Sequence, residues 1–169
     1  MGRFHPYWKG ATSTVSKEDG KIVKTQTSYK SYDLIKNEYI ILSNAHSNHF
    51  PSVYSMDSNT ITIEDCGEPL TPQNIPSDWN TQLKIILNDL KNHNIMHRDI
   101  KLDNLLVKGD IIKLIDFGWA KYIGEEESTP PPSCLGYPNK PSTGFSDEYS
   151  MRCVSKQIDY MLENQEVVV

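Results

Sequence analysis

The first part of the chain places two short extended runs before a stretch with helical spacing. Residues 15–17 and 21–25 are β-compatible and flank Asp19 and Gly20, a pair that is a strong hairpin signal between such runs. Residues 29–44 carry apolar side chains at helical spacing, which predicts an amphipathic helix. The apolar positions of this helix are Leu34, Ile35, Ile41 and Leu42.

Two more extended runs and a proline-rich connector follow. The runs at 52–56 and 60–64 are separated by residues 57–59, whose side chains are typical of turns. The predicted order is therefore strand, strand, helix, strand, strand. Residues 67–76 contain three prolines, which favour an extended connector over a helix. We expect a boundary between two lobes there.

The second half of the chain is predicted to contain more helix. Ser77 has the character of an N-cap, and apolar residues at helical spacing follow it at Leu83, Ile86, Leu87 and Leu90. The apolar runs 105–107 and 111–115 predict a short hairpin. Residues 124–144 are rich in Pro, Ser and Gly and predict a loop, and the pattern of 147–164 predicts a last helix.

Composition excludes several classes of protein. Hydrophobic residues make up 37% of the chain, and no apolar run approaches the ~18 residues of a membrane span. We also expect no secretion signal, because the N-terminal stretch has no apolar core. A net charge of -5 without clustered Lys and Arg argues against a nucleic-acid binder. Three cysteines without a CxxC predict reduced thiols and a cytoplasmic or nuclear location, or the host cell if the source is a virus.

Two polar motifs carry the chemistry. The sequence HRDIKLDN begins at His97, and DFG begins at Asp116, after the predicted hairpin. Their order and spacing resemble the eukaryotic-type protein kinase family. The stretch KIVK ends at Lys24 where that family has VAIK, and Glu38 follows on the next predicted helix. The stretch DEYSMRCV, which begins at Asp147, is similar to the family pattern D-x-W-S-x-G-C-V.

The resemblance implies a role for each polar residue of these motifs. Phosphoryl transfer requires mainly positioning and positive charge around the phosphates. Asn104 and Asp116 would bind Mg²⁺, which prefers oxygen ligands. Asp99 would accept the proton of the substrate hydroxyl, and Lys101 would hold the γ-phosphate. Lys24 would contact the α- and β-phosphates of ATP.

Further roles follow from the same resemblance. Glu38 would hold Lys24 by an ion pair, and Ile63 would be the gatekeeper at the back of the adenine pocket. The adenine itself would lie against Val15, Ile22, Leu106 and the backbone of Glu64 and Cys66. Asp147 would accept backbone hydrogen bonds from the HRD turn. Phosphorylation of Thr129 or Ser133 would pair that residue with Arg98 and order the loop after DFG.

The resemblance implies an α+β, protein kinase-like bilobal fold. We expect a small β-rich lobe with one helix at residues 1–66, and a reduced, mostly helical lobe at 67–169 that carries the catalytic loop and DFG. Because no further helix pattern follows 147–164, we expect a miniature or C-terminally truncated member of the family. An uncovered helix in that lobe would favour self-association or a partner protein.

The function implied is that of a serine/threonine-protein kinase, which transfers a phosphoryl group from Mg²⁺-ATP to a Ser or Thr hydroxyl of a protein. Two alternatives stay open. The glycine-rich loop of the family is poorly represented before Val15, and Ile22 stands where a smaller residue is usual, which favours a pseudokinase that acts as a binding module. The second alternative is a phosphotransferase that acts on a small molecule.

Overall fold

The computed structural model describes residues 13–27, 33–127 and 130–166, and it has an α+β architecture. The strands of this described part are β1 (Ser13–Glu18), β2 (Lys21–Gln26), β3 (Val53–Asp57), β4 (Thr60–Glu64), β5 (Glu68–Pro69), β6 (Ile95–Met96), β7 (Leu105–Lys108), β8 (Ile111–Leu114) and β9 (Lys121–Tyr122). The helices are α1 (Leu34–Asn44), α2 (Trp79–Asn92) and α3 (Asp147–Glu163).

The first sheet has four antiparallel strands in the order β1-β2-β4-β3. The predicted hairpin between β1 and β2 is confirmed, because Glu18 pairs with Lys21 and leaves a two-residue turn. Asp19 and Gly20 fill that turn with φ angles of 48° and 75°, as a type I′ turn requires. The predicted order of strand, strand, helix, strand, strand is also confirmed.

Helix α1 packs its apolar stripe into the core and carries one buried carboxylate on the same face. The helix begins at Leu34 because Asp33 caps it, with Oδ1 accepting a hydrogen bond of 3.0 Å from Lys36 N. The predicted first turn, from residue 29, lies outside the described residues. Glu38 is only 1% exposed and lies among the apolar side chains of the stripe.

The connector after the first sheet contains no helix, as predicted, but it is extended only in part: Glu68–Pro69 form β5, and residues 72–74 form a turn. This short strand pairs with β7 and completes a sheet in the order β5-β7-β8. The predicted hairpin is confirmed as β7 and β8. The exact position of the lobe boundary near residue 66 stays a prediction.

Helix α2 begins one residue later than the sequence predicted. Asp78 is the N-cap residue in place of Ser77, so the prediction of Ser77 was wrong. Asp78 Oδ1 accepts a hydrogen bond of 2.8 Å from Gln82 Nε2. Gln82 is buried and also bonds Asp110 O and Ile112 N, which ties α2 to the hairpin of β7 and β8. Ser77 and Asp78 are both residue types that are common at N-caps, so the sequence alone does not show which of them precedes the helix.

One continuous core joins the elements on both sides of the connector. It contains Ile35 of α1, Ile61 of β4, Ile86 of α2, Ile112 of β8 and Val154 of α3, all of them almost completely buried. The predicted last helix is confirmed as α3. In the part of the chain that the structure describes, no helix has the length and apolar character needed to cross a membrane.

Candidate active site

The first residue of α3, Asp147, binds the backbone of the turn that contains the HRD motif. Asp147 is 8% exposed, and its carboxylate accepts bonds from His97 N at 2.7 Å and Arg98 N at 3.0 Å. Arg98 has a φ of 71°, an unusual conformation that these two bonds help to maintain. The prediction that Asp147 accepts backbone bonds from this turn is confirmed.

Asp99 is 5% exposed, and its carboxylate interacts with several donors. Asn104 Nδ2 donates to Asp99 O at 2.8 Å and to Oδ2 at 3.0 Å. Lys101 Nζ lies 3.4 Å from Oδ1, and Gly136 N donates to the same oxygen at 2.9 Å. The three residues predicted as catalytic are therefore brought together, and Gly136 is an additional contact that the motifs did not predict.

Lys24 connects the first sheet to the two acidic residues that the sequence singled out. Its Nζ lies 2.9 Å from Glu38 Oε2 and 3.0 Å from Asp116 Oδ1, although Lys24 and Asp116 are 92 residues apart. Burial disfavours the charged form of Lys24 and lowers its pKa. The negative charges of Asp116 and Glu38 outweigh this effect, so the pKa of the ammonium lies above its usual value. Partial loss of hydration in the fold pushes the pKa of Asp116 up, but the charge of Lys24 outweighs this effect and holds the pKa below its usual range.

The DFG segment is anchored by its phenylalanine. Phe117 is completely buried, and its ring lies edge-on to those of His97 and Phe50, with centroids 4.8 Å and 5.1 Å away. Its backbone N–H donates to Glu38 Oε1 at 3.1 Å. Glu38 therefore contacts both Lys24 and the DFG backbone, one with each carboxylate oxygen.

Asn37 supports the same segment, and the motifs gave no signal for it. Its Nδ2 donates to Gly118 O at 2.9 Å and to Ala120 O at 2.7 Å. These bonds join α1 to the last residue of DFG and to the backbone two residues after it. The only sequence hint was the position of Asn37 beside Glu38 on the predicted helix.

A comparison with known protein families matches this arrangement. The family described as protein kinase domain matches residues 16–139, which is most of the chain. The chain belongs to the protein kinase family. The predicted α+β, kinase-like fold is confirmed by this match together with the antiparallel sheets and helices of the structure.

Several curated relatives are similar to this kinase domain. Serine/threonine-protein kinase nekl-2 of Caenorhabditis elegans is 33% identical over 94 residues, which is 49% of this chain and 26% of the relative. A probable serine/threonine-protein kinase of Dictyostelium discoideum is 32% identical over 126 residues, 64% of this chain and 27% of the relative. Testis-specific serine/threonine-protein kinase 4 of Homo sapiens is 41% identical over 59 residues, 34% of this chain and 16% of the relative. The chain thus spans about a quarter or less of the length of these relatives.

Most residues predicted to line the adenine pocket lie on the four-stranded sheet or on the sheet of β5, β7 and β8. Val15 and Ile22 are half-buried on β1 and β2, and Leu106 is half-buried on β7. Ile63, the predicted gatekeeper, pairs in register with Ile22 and is 6% exposed. Their contacts with a nucleotide stay predictions, as do those of the segment that follows Ile63.

That segment is held by the side chain of its own first residue. Glu64 N donates to Ser52 O at 2.8 Å, and Glu64 O accepts a weak bond of 3.7 Å from Cys66 Sγ. The Glu64 carboxylate accepts bonds from Ser52 N, Lys108 Nζ and Lys113 Nζ, at 3.1 Å, 3.1 Å and 3.2 Å. Burial by itself would raise the pKa of Glu64. The bonds from these three donors have the larger effect, so the pKa lies below its usual value. Burial and the neighbouring Glu64 raise the pKa of the Cys66 thiol to about 12.

The loop after DFG contacts Arg98 through a residue other than those predicted. Thr129 lies outside the described residues, and Ser133 is exposed. Arg98 Nη1 forms an ion pair with Glu127 Oε1. Whether Thr129 or Ser133 is phosphorylated stays a prediction, but the guanidinium of Arg98 already has an acidic partner.

An open cavity of about 740 Å³ lies away from these residues. It is formed by the second half of α1, the start of β3 and the loop between them, with Tyr39, His46 and Tyr54 in its wall. None of the predicted site residues lines it.

Proposed function

We propose that this chain is an ATP- and Mg²⁺-dependent protein kinase that phosphorylates serine or threonine. The observation that carries the proposal is the placement of Lys24 between Glu38 and Asp116, at 2.9 Å and 3.0 Å. A cation of this kind, whose side chain is only 13% exposed and whose two acidic partners come from different parts of the chain, provides positive charge beside a carboxylate that stays ionised at neutral pH. Phosphoryl transfer from a nucleotide needs this combination.

The donor atoms of the site fit a magnesium ion. The Asp116 side chain is 42% exposed, and its low pKa keeps it ionised. Asn104 uses its amide nitrogen to bond Asp99, and its Oδ1 accepts no bond from the residues that the structure describes. A bond of 2.9 Å from Ile115 N to Asn104 O holds the two segments side by side. The two candidate ligand groups, the Asp116 carboxylate and Asn104 Oδ1, offer hard oxygen atoms, which Mg²⁺ prefers.

When bound, Mg²⁺ supplies positive charge that neutralises the phosphate oxygens of the nucleotide. The residues of the chain supply the remaining functions. Asp99 is the group that accepts the proton of the attacking hydroxyl, and Asn104 and Gly136 fix its two carboxylate oxygens in place. Lys101, 3.4 Å from the same carboxylate, provides charge where the phosphoryl group is transferred.

The proposal also specifies the phosphoryl acceptor, which is a serine or threonine hydroxyl of a protein. The HRD motif followed by Lys101 and Asn104 is typical of kinases that act on serine or threonine, and the relatives are named as serine/threonine-protein kinases. A cytoplasmic location and a partner surface on the second lobe remain predictions of the sequence.

The test is an assay with radiolabelled ATP on generic protein acceptors and on the protein itself. We expect transfer by the wild type, and a loss of at least about 100-fold in the Asp99→Asn and Asp116→Ala variants. The matched control is Asp103→Asn, because Asp103 is an exposed acidic residue of the same loop. Equal and negligible transfer by all four proteins would reject the proposed activity.

A thermal-unfolding series with Mg²⁺-ATP separates the alternatives. A nucleotide that binds only the folded protein raises the midpoint temperature. Stabilisation without transfer to protein indicates a pseudokinase, or a phosphotransferase whose small-molecule acceptors can then be screened. No stabilisation at millimolar nucleotide counts against both the kinase and the phosphotransferase.

A further inference from the structure

Arg98 is a buried cation that the proposed reaction does not use directly. Its side chain is 2% exposed. Its Nε donates to Trp119 O at 2.7 Å, and its guanidinium carbon lies 5.6 Å from the centre of the Phe145 ring. A guanidinium cannot lose its proton in a protein, so a buried one is strongly unfavourable without an acidic partner.

Glu127 is that partner. It is the last of three consecutive glutamates, and only its carboxylate forms an ion pair with Arg98 among the residues that the structure describes. Glu125 uses Oε2 to accept a bond of 3.3 Å from Tyr122 N, and Glu126 is exposed. The pairing is thus specific to one position of a run of identical side chains.

Arg98 joins Glu127 to the residues that bear the proposed chemistry. Its backbone N–H bonds Asp147, and the next residue is Asp99. Its carbonyl oxygen lies against Gly136, where an added Cβ would be only 3.0 Å away and φ is +75°. Gly136 in turn donates to Asp99 Oδ1. The loop on either side of residues 128–129 therefore contacts the catalytic turn at two points, Glu127 and Gly136.

We propose that Glu127 is a permanent acidic counter-ion of Arg98 that holds the loop after DFG on the catalytic turn, so that the kinase needs no phosphorylated residue in this loop for activity. Glu127 is a positioning residue, since it acts through Arg98 and touches no reacting atom. The regulatory part of this inference rests on the proposed kinase activity. The loop contact itself does not.

The test compares Glu127→Gln with Glu126→Gln, which makes the same change at the neighbouring position, where the described structure shows no ion pair with Arg98. The wild type is produced without cellular kinases, by cell-free synthesis followed by phosphatase treatment, and mass spectrometry verifies that it carries no phosphate. We expect this protein and Glu126→Gln to be active. We expect kcat of Glu127→Gln to fall by about 10-fold or more, the factor that corresponds to one lost charge-assisted hydrogen bond, with a smaller change in KM for ATP. Glu127→Asp, which keeps the charge, should recover part of kcat.

Hydrogen exchange gives a readout that does not depend on activity. If Glu127 holds the loop, the amide of Gly136 and its neighbours should exchange faster in Glu127→Gln than in Glu126→Gln. Equal exchange and equal kcat in the two variants would overturn the inference, and so would a wild type that becomes active only after phosphorylation of the loop. If the wild type transfers no phosphate at all, the proposed function fails, and faster exchange in Glu127→Gln alone supports the loop contact.

Discussion

Replacing Asp147 by asparagine should measure how strongly α3 stabilises the catalytic turn. The carboxylate is 8% exposed and accepts two backbone bonds, from His97 N at 2.7 Å and Arg98 N at 3.0 Å. An asparagine has one acceptor oxygen, so one buried N–H would face an NH₂ group and lose its partner. A hydrogen bond to a charged group contributes about 1.5–3 kcal/mol, and an unsatisfied buried donor costs about 1–3 kcal/mol. We therefore expect a loss of about 2–4 kcal/mol in the free energy of unfolding.

Urea-induced unfolding at pH 7 measures this loss directly. A domain is stable by only about 5–15 kcal/mol, so a change of this size should move the midpoint clearly. Asp159→Asn is the matched control, because Asp159 is an exposed residue of the same helix. We expect it to change the free energy of unfolding by less than about 0.5 kcal/mol. Indistinguishable midpoints for the two variants would refute the reasoning that Asp147 holds the turn.

Three further predictions address the candidate site, the reactivity of two thiols and the stability of the fold as a function of pH. Glu38→Gln should lower kcat/KM for ATP by about 10- to 100-fold, because a buried amide cannot accept bonds from both Lys24 and the DFG backbone. At pH 8, Cys66 should react with a thiol reagent at least about 100-fold more slowly than the exposed Cys134, since burial and a pKa of about 12 leave little thiolate. Because Glu64 has a depressed pKa, it should stabilise the fold above its unfolded pKa of about 4.3, and this stabilisation should be lost as pH falls through the folded pKa.

Each of these predictions has a control and a contradicting result. Glu163→Gln makes the same change as Glu38→Gln at an exposed position, and equal kinetics of the two variants would contradict the role of Glu38. Cys134→Ser should remove the fast thiol phase, and an unchanged fast phase would assign it to another cysteine. Glu64→Gln should flatten the acid side of the stability curve below about pH 4.5, and parallel curves for variant and wild type would contradict the pKa argument.

Local sequence patterns predicted the elements whose formation depends on local interactions. The Asp19-Gly20 turn, the hairpin of β7 and β8 and helix α3 were predicted because turn chemistry and apolar periodicity act within a few residues. The HRD and DFG motifs were also sufficient to place this chain in its family, as the match over residues 16–139 shows.

Contacts between distant parts of the chain could not be predicted in this way. The short strand β5 exists because β7, far along the chain, supplies its bonding partner. The sequence did not distinguish Asn37 from other polar helix residues, because its bonding partners, Gly118 O and Ala120 O, lie more than 80 residues away in the chain. The Ser77 prediction was wrong: Asp78 is the N-cap residue of α2, and its carboxylate bonds the side chain of Gln82, which also bonds the hairpin of β7 and β8.

The sequence by itself determined the family, the order of the main elements and the polar residues of the candidate site, because motif spacing and periodicity are properties of neighbouring residues. Only the tertiary structure decided which acid neutralises Arg98 and which backbone N–H holds Asp99. Three adjacent glutamates are chemically identical in sequence, and only the path of the folded loop brings Glu127, and not its neighbours, to the buried guanidinium. Gly136 reaches Asp99 for the same reason, since the loop returns across the catalytic turn.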